Sequence, residues 1–106
     1  MTDDPAIAAL LAEARIQYVA GLAAKVADLE SLITRGAWDE ARRAAHKLRG
    51  SAGTYGFAEV SAPAAAIEEA LIESNGAPDD AVKARVAELA REVRAQADVA
   101  AAAAKQ

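Results

Sequence analysis

Arg42, His46, Arg49, Gly50 and Gly53 follow one another at steps of four, three, one and three. At roughly 100° per residue, an α-helix gathers all five on one face. His46 is the only histidine in 106 residues, and Arg42, Arg43, Lys47 and Arg49 crowd positive charge around it in a chain of formal net charge −4. An imidazole has an ordinary pKa near 6.5, so at neutral pH much of it is neutral and nucleophilic. An exposed imidazole among cations suits an anionic electrophile such as a phosphoryl group, or an acidic pocket on another molecule.

The element that positions this face is legible from its opposite side. Trp38, Ala41, Ala45, Leu48, Ala52 and Tyr55 recur at steps of three and four, the apolar stripe of a core-facing helix. Leu48 lies about 160° around the axis from His46, so burial of one exposes the other. Two readings of the glycines remain open. The helix can stop at Gly50 with a C-cap, leaving Gly-Ser-Ala-Gly as a loop. Alternatively it runs on through Leu48, Ala52 and Tyr55, and each interior glycine then costs about 1 kcal/mol against alanine. In that case the missing side chains would let another protein's backbone approach the imidazole.

The stretch resembles the histidine-containing phosphotransfer (HPt) domains of phosphorelays. Their pattern of His-x-Leu-Lys-Gly-Ser, a small residue, three more, then Gly and a large apolar residue appears as His46-Lys47-Leu48-Arg49-Gly50-Ser51-Ala52, Gly53-Thr54-Tyr55, then Gly56-Phe57. Arg49 replaces the more common lysine, and its planar fork would orient differently. The resemblance implies that Nε2 of His46 takes the phosphoryl group, that Arg49 offers charge to its oxygens, and that Gly50 clears the approach. It also implies a Gln or Glu 22 residues after the histidine, bonded to the imidazole Nδ1, and that position is Glu68. Bottom-up, Glu68 follows the core residue Ile67 and could face the histidine's helix; otherwise Glu68 and Glu69 are a solvated face. Ser51 is expected to bond its own helix backbone. Arg42, Arg43 and Lys47, with Gly53, are expected to meet and steer an acidic partner.

Composition bounds the rest. The hydrophobic share of 54% is inflated by alanine, nearly a third of the chain, so the helices should pack closely. With no cysteine and one histidine there is no disulfide framework and no transition-metal cluster, and no Walker-type loop or dinucleotide fingerprint is present. We therefore expect no metal, no cofactor and no kinase activity of its own. The acidic balance argues against nucleic acid, which needs an extended basic surface. The N-terminus lacks a signal-peptide pattern and no charge-free apolar run approaches 18 residues, so a soluble, cytoplasmic protein without membrane contact is expected.

The expected fold is all-α, one domain over residues 1–106: an antiparallel four-helix bundle with an additional short N-terminal helix. That extra helix would run from Pro5 to Ala14, or would join the next as one bent helix. The next, from Arg15 to Arg35, would turn Ile16, Val19, Ala23, Val26, Leu29 or Glu30, and Ile33 inward and end at Gly36. The motif helix would span Trp38 to Tyr55, with Trp38 and Phe57 closing its ends. A further helix carries Val60, Ala64, Ile67 and Leu71 and starts at Ala58 or at Ser61, depending on how Pro63 is accommodated. Asp79 or Asp80 caps the last, whose stripe is Val82, Val86, Leu89 and Val93. The alanine tail from Val99 to Gln106 has little to pack and should fray.

The function implied is a phosphoryl carrier that exchanges the group with aspartates of response-regulator receiver domains or a hybrid histidine kinase, acting as a monomer. Two rivals are a helical adaptor that uses the same surface without phosphate, and a phosphoacceptor domain of a chemotaxis-type kinase. The sequence names neither the partners nor the direction of flow.

Overall fold

A computed structural model describes residues 4–105. They form four helices and, among the described residues, no strand: α1 (Pro5–Thr34), α2 (Trp38–Thr54), α3 (Ala58–Glu73) and α4 (Asp80–Ala104). Each helix packs against two others, in the cyclic order α1, α2, α3, α4.

The separate N-terminal helix is corrected, because α1 is continuous from Pro5 to Thr34. Nothing between Ala14 and Arg15 breaks a helix, and the alanine-rich sequence favours propagation. Asp4 caps its start by accepting from the amide of Ala6 at 2.9 Å. Of its expected inward face, Val19, Val26 and Leu29 are buried and Ile33 packs against the core, while Ile16 and Ala23 are corrected to exposed and Tyr18 and Leu22 are buried in their stead. Both choices fit a helical period; tyrosine and leucine cover more area than isoleucine and alanine.

α2 runs through both glycines to Thr54, burying Ala41, Ala45, Leu48 and Ala52. α1 and α2 close alike at their C-terminal ends. The amide of Ala37 donates to Leu32 O at 2.9 Å and that of Phe57 to Ala52 O at 2.8 Å, each beside a glycine at positive φ, Gly36 (+71°) and Gly56 (+83°). These turns satisfy the last carbonyls of α1 and α2 and fix the reversals that bring successive helices together.

α3 begins at Ala58, with Pro63 inside it and Val60, Ala64, Ile67, Glu68 and Leu71 buried. The proline removes the bond to the carbonyl of Glu59, an exposed residue. Asp79 caps α4 by accepting from the amide of Val82 at 2.9 Å. The tail does not fray within the described residues: α4 continues to Ala104, and Ala97 and Ala100 are buried against the core. Alanine here packs because only a small side chain lets two helices approach so closely. Arg94 reaches across to α1, donating from Nη2 to Glu30 Oε1 at 2.6 Å and from Nε to Oε2 at 3.2 Å.

Candidate functional site

The site sits where α2 and α3 pack. Burial of Ala45 and Leu48 turns His46 outward, with 58% of its side chain exposed, whereas the side chain of Glu68 is 11% exposed. Glu68 is the one buried charged residue among those described. A buried carboxylate requires donors, and it has two. Its Oε2 lies 2.6 Å from Nδ1 of His46, and its Oε1 lies 3.0 Å from Nε of Arg49.

A carboxylate only accepts, so in the neutral ring the short contact puts the imidazole proton on Nδ1 and the lone pair on Nε2. Arg49 also lies 3.5 Å from Nδ1 through Nη2, but that nitrogen's proton is directed at Glu68, so the contact is charge proximity rather than a hydrogen bond. In this state the guanidinium is held on Glu68, on the Nδ1 side of the ring, whereas an electrophile would meet the in-plane lone pair of Nε2.

Gly50 and Gly53 differ in their surroundings. A Cβ added at Gly50 would meet nothing within 4 Å, so the fold does not require glycine there. A Cβ at Gly53 would lie 3.5 Å from Ser61 Oγ, an ordinary contact. Both are exposed on the His46 face.

The four predicted cations do not act as one patch. Arg43 and Lys47, with Lys25 and Arg35, rim a groove of about 590 Å³ between α1 and α2, whose walls include Leu32, Leu48, Asp28 and Glu40. Gly50 lies between this groove and His46 around the α2 axis. Arg42 points to the other side, toward a cleft with Trp38, Leu71 and Ile72. Both Arg42 and Arg43 also bind Asp39, at 3.1 and 2.5 Å, and they hold its carboxyl below the usual aspartate range.

Two supporting residues carry no sequence signal of their own. Tyr18 of α1 bonds Ser51 Oγ through its hydroxyl at 2.8 Å, and its ring stacks on Tyr55 (4.6 Å between centroids) and Phe57 (5.8 Å). Burial pushes the Tyr18 phenol above its ordinary value, with the Ser51 bond opposing. Ser51 does reach its own backbone, Leu48 O, but at 3.4 Å, so its closer partner is the tyrosine. Ser61 of α3 donates to Arg49 O at 2.8 Å, and Thr54 to Gly50 O at 2.9 Å. The Tyr18 and Ser61 bonds tie the glycine-containing turns of α2 to α1 and α3, and the Thr54 bond braces them within α2, offsetting the freedom that two glycines introduce.

Comparison with known proteins agrees with the motif. Searches of curated proteins and of solved structures return no match. The family model described as Hpt domain matches residues 13–104, which include α2, α3, α4, all of α1 from Glu13 onward and every residue of the site. The chain therefore belongs to the Hpt domain family, whose members carry phosphoryl groups in phosphorelay signalling.

Proposed function

We propose that this chain is a single-domain phosphoryl carrier, an antiparallel four-helix bundle that accepts the group on Nε2 of His46 and exchanges it with receiver-domain aspartates. The antiparallel reading is supported by contacts that run in opposite senses: His46 meets Glu68 while Arg49 meets Ser61, and Tyr18 meets Ser51 while Ser31 and Arg43 border one groove.

The observation that carries the functional reading is the 2.6 Å contact from Nδ1 to Glu68, which in the neutral ring places the lone pair on Nε2 of an exposed histidine. In the transfer, Nε2 forms the N–P bond as the acyl-phosphate P–O bond of the receiver breaks, and the aspartate leaves as a carboxylate. The Nδ1 proton stays in place, and Glu68 balances the charge that the ring gains. The receiver supplies the metal-bearing acidic pocket; this chain supplies a positioned nucleophile, and Arg49 offers positive charge when the group arrives. The reverse transfer uses the same atoms.

Docking would use the surface around Gly50 and Gly53, with the cationic groove between α1 and α2 beside it. Arg43 and Lys47 would steer an acidic rim, and the contact should be small and transient because the group must move on. The carrier would act in the cytoplasm, without metal or cofactor of its own. Glutamate at position 68 keeps a second reading, the phosphoacceptor domain of a chemotaxis-type kinase.

The test is transfer of isotopic label from a phospho-receiver to the wild type and to His46→Gln. Label that moves to the wild type only, lost in acid and kept in base, supports the carrier. Binding without transfer from any receiver or kinase of the source organism would turn the site into an adaptor surface.

A further inference from the structure

The core stripe of α1 continues past the point where the core ends. Leu29, Val26, Leu22 and Tyr18 are buried, and the same helical period carries on to Leu11 and Ile7. Yet every residue from Asp4 to Glu13 is exposed, including Leu10 at 69%, Leu11 at 57% and Ile7 at 44%. The segment from Pro5 to Ala12 has no polar side chain and extends about 12 Å. It also lies outside the matched family region, which begins at residue 13. A helix that is apolar all round is ordinarily covered.

Charge and length disfavour a membrane as the cover. α1 is long and apolar enough by length and composition to cross one. However, its uncharged N-terminal run covers about 12 Å of the roughly 30 Å required, and insertion of the rest would withdraw Tyr18, Leu22, Val26 and Leu29 from the core. A helix lying on an anionic surface carries Lys and Arg, whereas this segment is flanked by Asp3, Asp4 and Glu13 against Arg15 alone.

We propose that a second copy of this chain covers it, the two α1 segments pairing antiparallel about a two-fold axis between Ala9 and Leu10. That register sets Leu11 against Ala8 and Ile7 against Ala12 of the other copy, large over small. It also sets Asp4 against Arg15 at both ends, on the same flank of the stripe, so an opposite-charge pair brackets the apolar contact at each end. A contact one helix wide falls below the about 800 Å² per partner of a standard interface. The dimer is therefore weak and reversible, half-formed at about 10–1000 µM. His46 lies about 12 Å back from the end of α2, so both phosphoacceptor faces stay open, and the pairing is independent of the proposed carrier role.

Sedimentation velocity from micromolar to millimolar concentration tests this with the full chain, alongside Leu11→Glu. The expected result is reversible dimerisation of the wild type that weakens at least tenfold in the variant, with unchanged helicity and thermal midpoint. Leu11 is exposed, so the fold should tolerate the change. A wild type that stays monomeric throughout, or a dimer that Leu11→Glu leaves intact, overturns the proposal. A monomer that co-sediments with phosphatidylglycerol vesicles overturns it in favour of a membrane. The receiver-transfer assay reads neither outcome, so failure here and failure of the carrier role are separable.

Discussion

Nδ1 of His46 and Oε2 of Glu68 lie 2.6 Å apart across the α2–α3 packing interface, the histidine exposed and the glutamate buried. The imidazole proposed as nucleophile is thereby oriented by a group that solvent barely reaches. Removing the carboxylate frees the ring's tautomer and rotation and leaves Arg49 without its acceptor. Glu68→Ala should slow phosphorylation of His46 by about 10–100-fold while receiver binding changes little. Glu68→Gln, which can still accept from Nδ1, should recover part of the rate. Labelled-transfer kinetics check the order, and nitrogen chemical shifts of the imidazole report the tautomer.

Gly50 separates stability from function. A Cβ there meets nothing within 4 Å, and alanine is the better helix former. Gly50→Ala should therefore raise unfolding free energy by about 0.5–1 kcal/mol and yet weaken transfer, because the methyl group obstructs the partner's approach. Denaturant titration paired with a transfer assay checks both signs. A variant that is more stable and transfers at the wild-type rate would remove Gly50 from the docking surface.

In the proposed transfer Arg49 has two tasks, which a lysine and an alanine would divide differently. Its Nε meets Glu68 while the rest of the fork remains beside the ring. Arg49→Lys keeps a charge for the incoming oxygens and should retain most transfer, whereas Arg49→Ala should lose tenfold or more. A similar loss in both would assign the planar fork, rather than the charge, as the working feature.

Tyr18 predicts an alkaline limb. Burial raises its pKa above the ordinary value of 10.0, so the folded state holds the phenolic proton more tightly than the unfolded chain. Its contribution to stability is complete below pH 10 and is lost as pH rises through the folded value. The wild type should lose thermal stability above pH 10 more steeply than Tyr18→Phe. At neutral pH that variant should be modestly less stable, because Ser51 loses its 2.8 Å partner. Thermal melts of the two proteins across that range provide the comparison.

The sequence by itself determined the helical class and the outward face of α2. Alanine and leucine at helical steps bury one side of a helix wherever it packs, so the exposure of His46 followed from Leu48 opposite it. Turn glycines at 36 and 56 marked the helix ends because only they adopt positive φ without strain. Whether α2 would cross Gly50 and Gly53 was undecided locally, since propensity and periodicity pointed in opposite directions. Tertiary packing decided it: Ala52 is buried, and Ser61 and Tyr18 tie the glycine turns to α3 and α1. Which residues of α1 join Val19, Val26 and Leu29 inward was likewise beyond a one-dimensional reading, because Ile16 with Ala23 and Tyr18 with Leu22 both fit a helical period and differ only in what the other helices present to them. The pairing of His46 and Arg49 with Glu68 needed the α2–α3 register, since a 22-residue separation says nothing of distance until the turn at Gly56 folds the chain back. The fate of Pro5–Ala12 also belongs to the tertiary structure, because a continuous apolar stripe does not reveal where its covering helices stop.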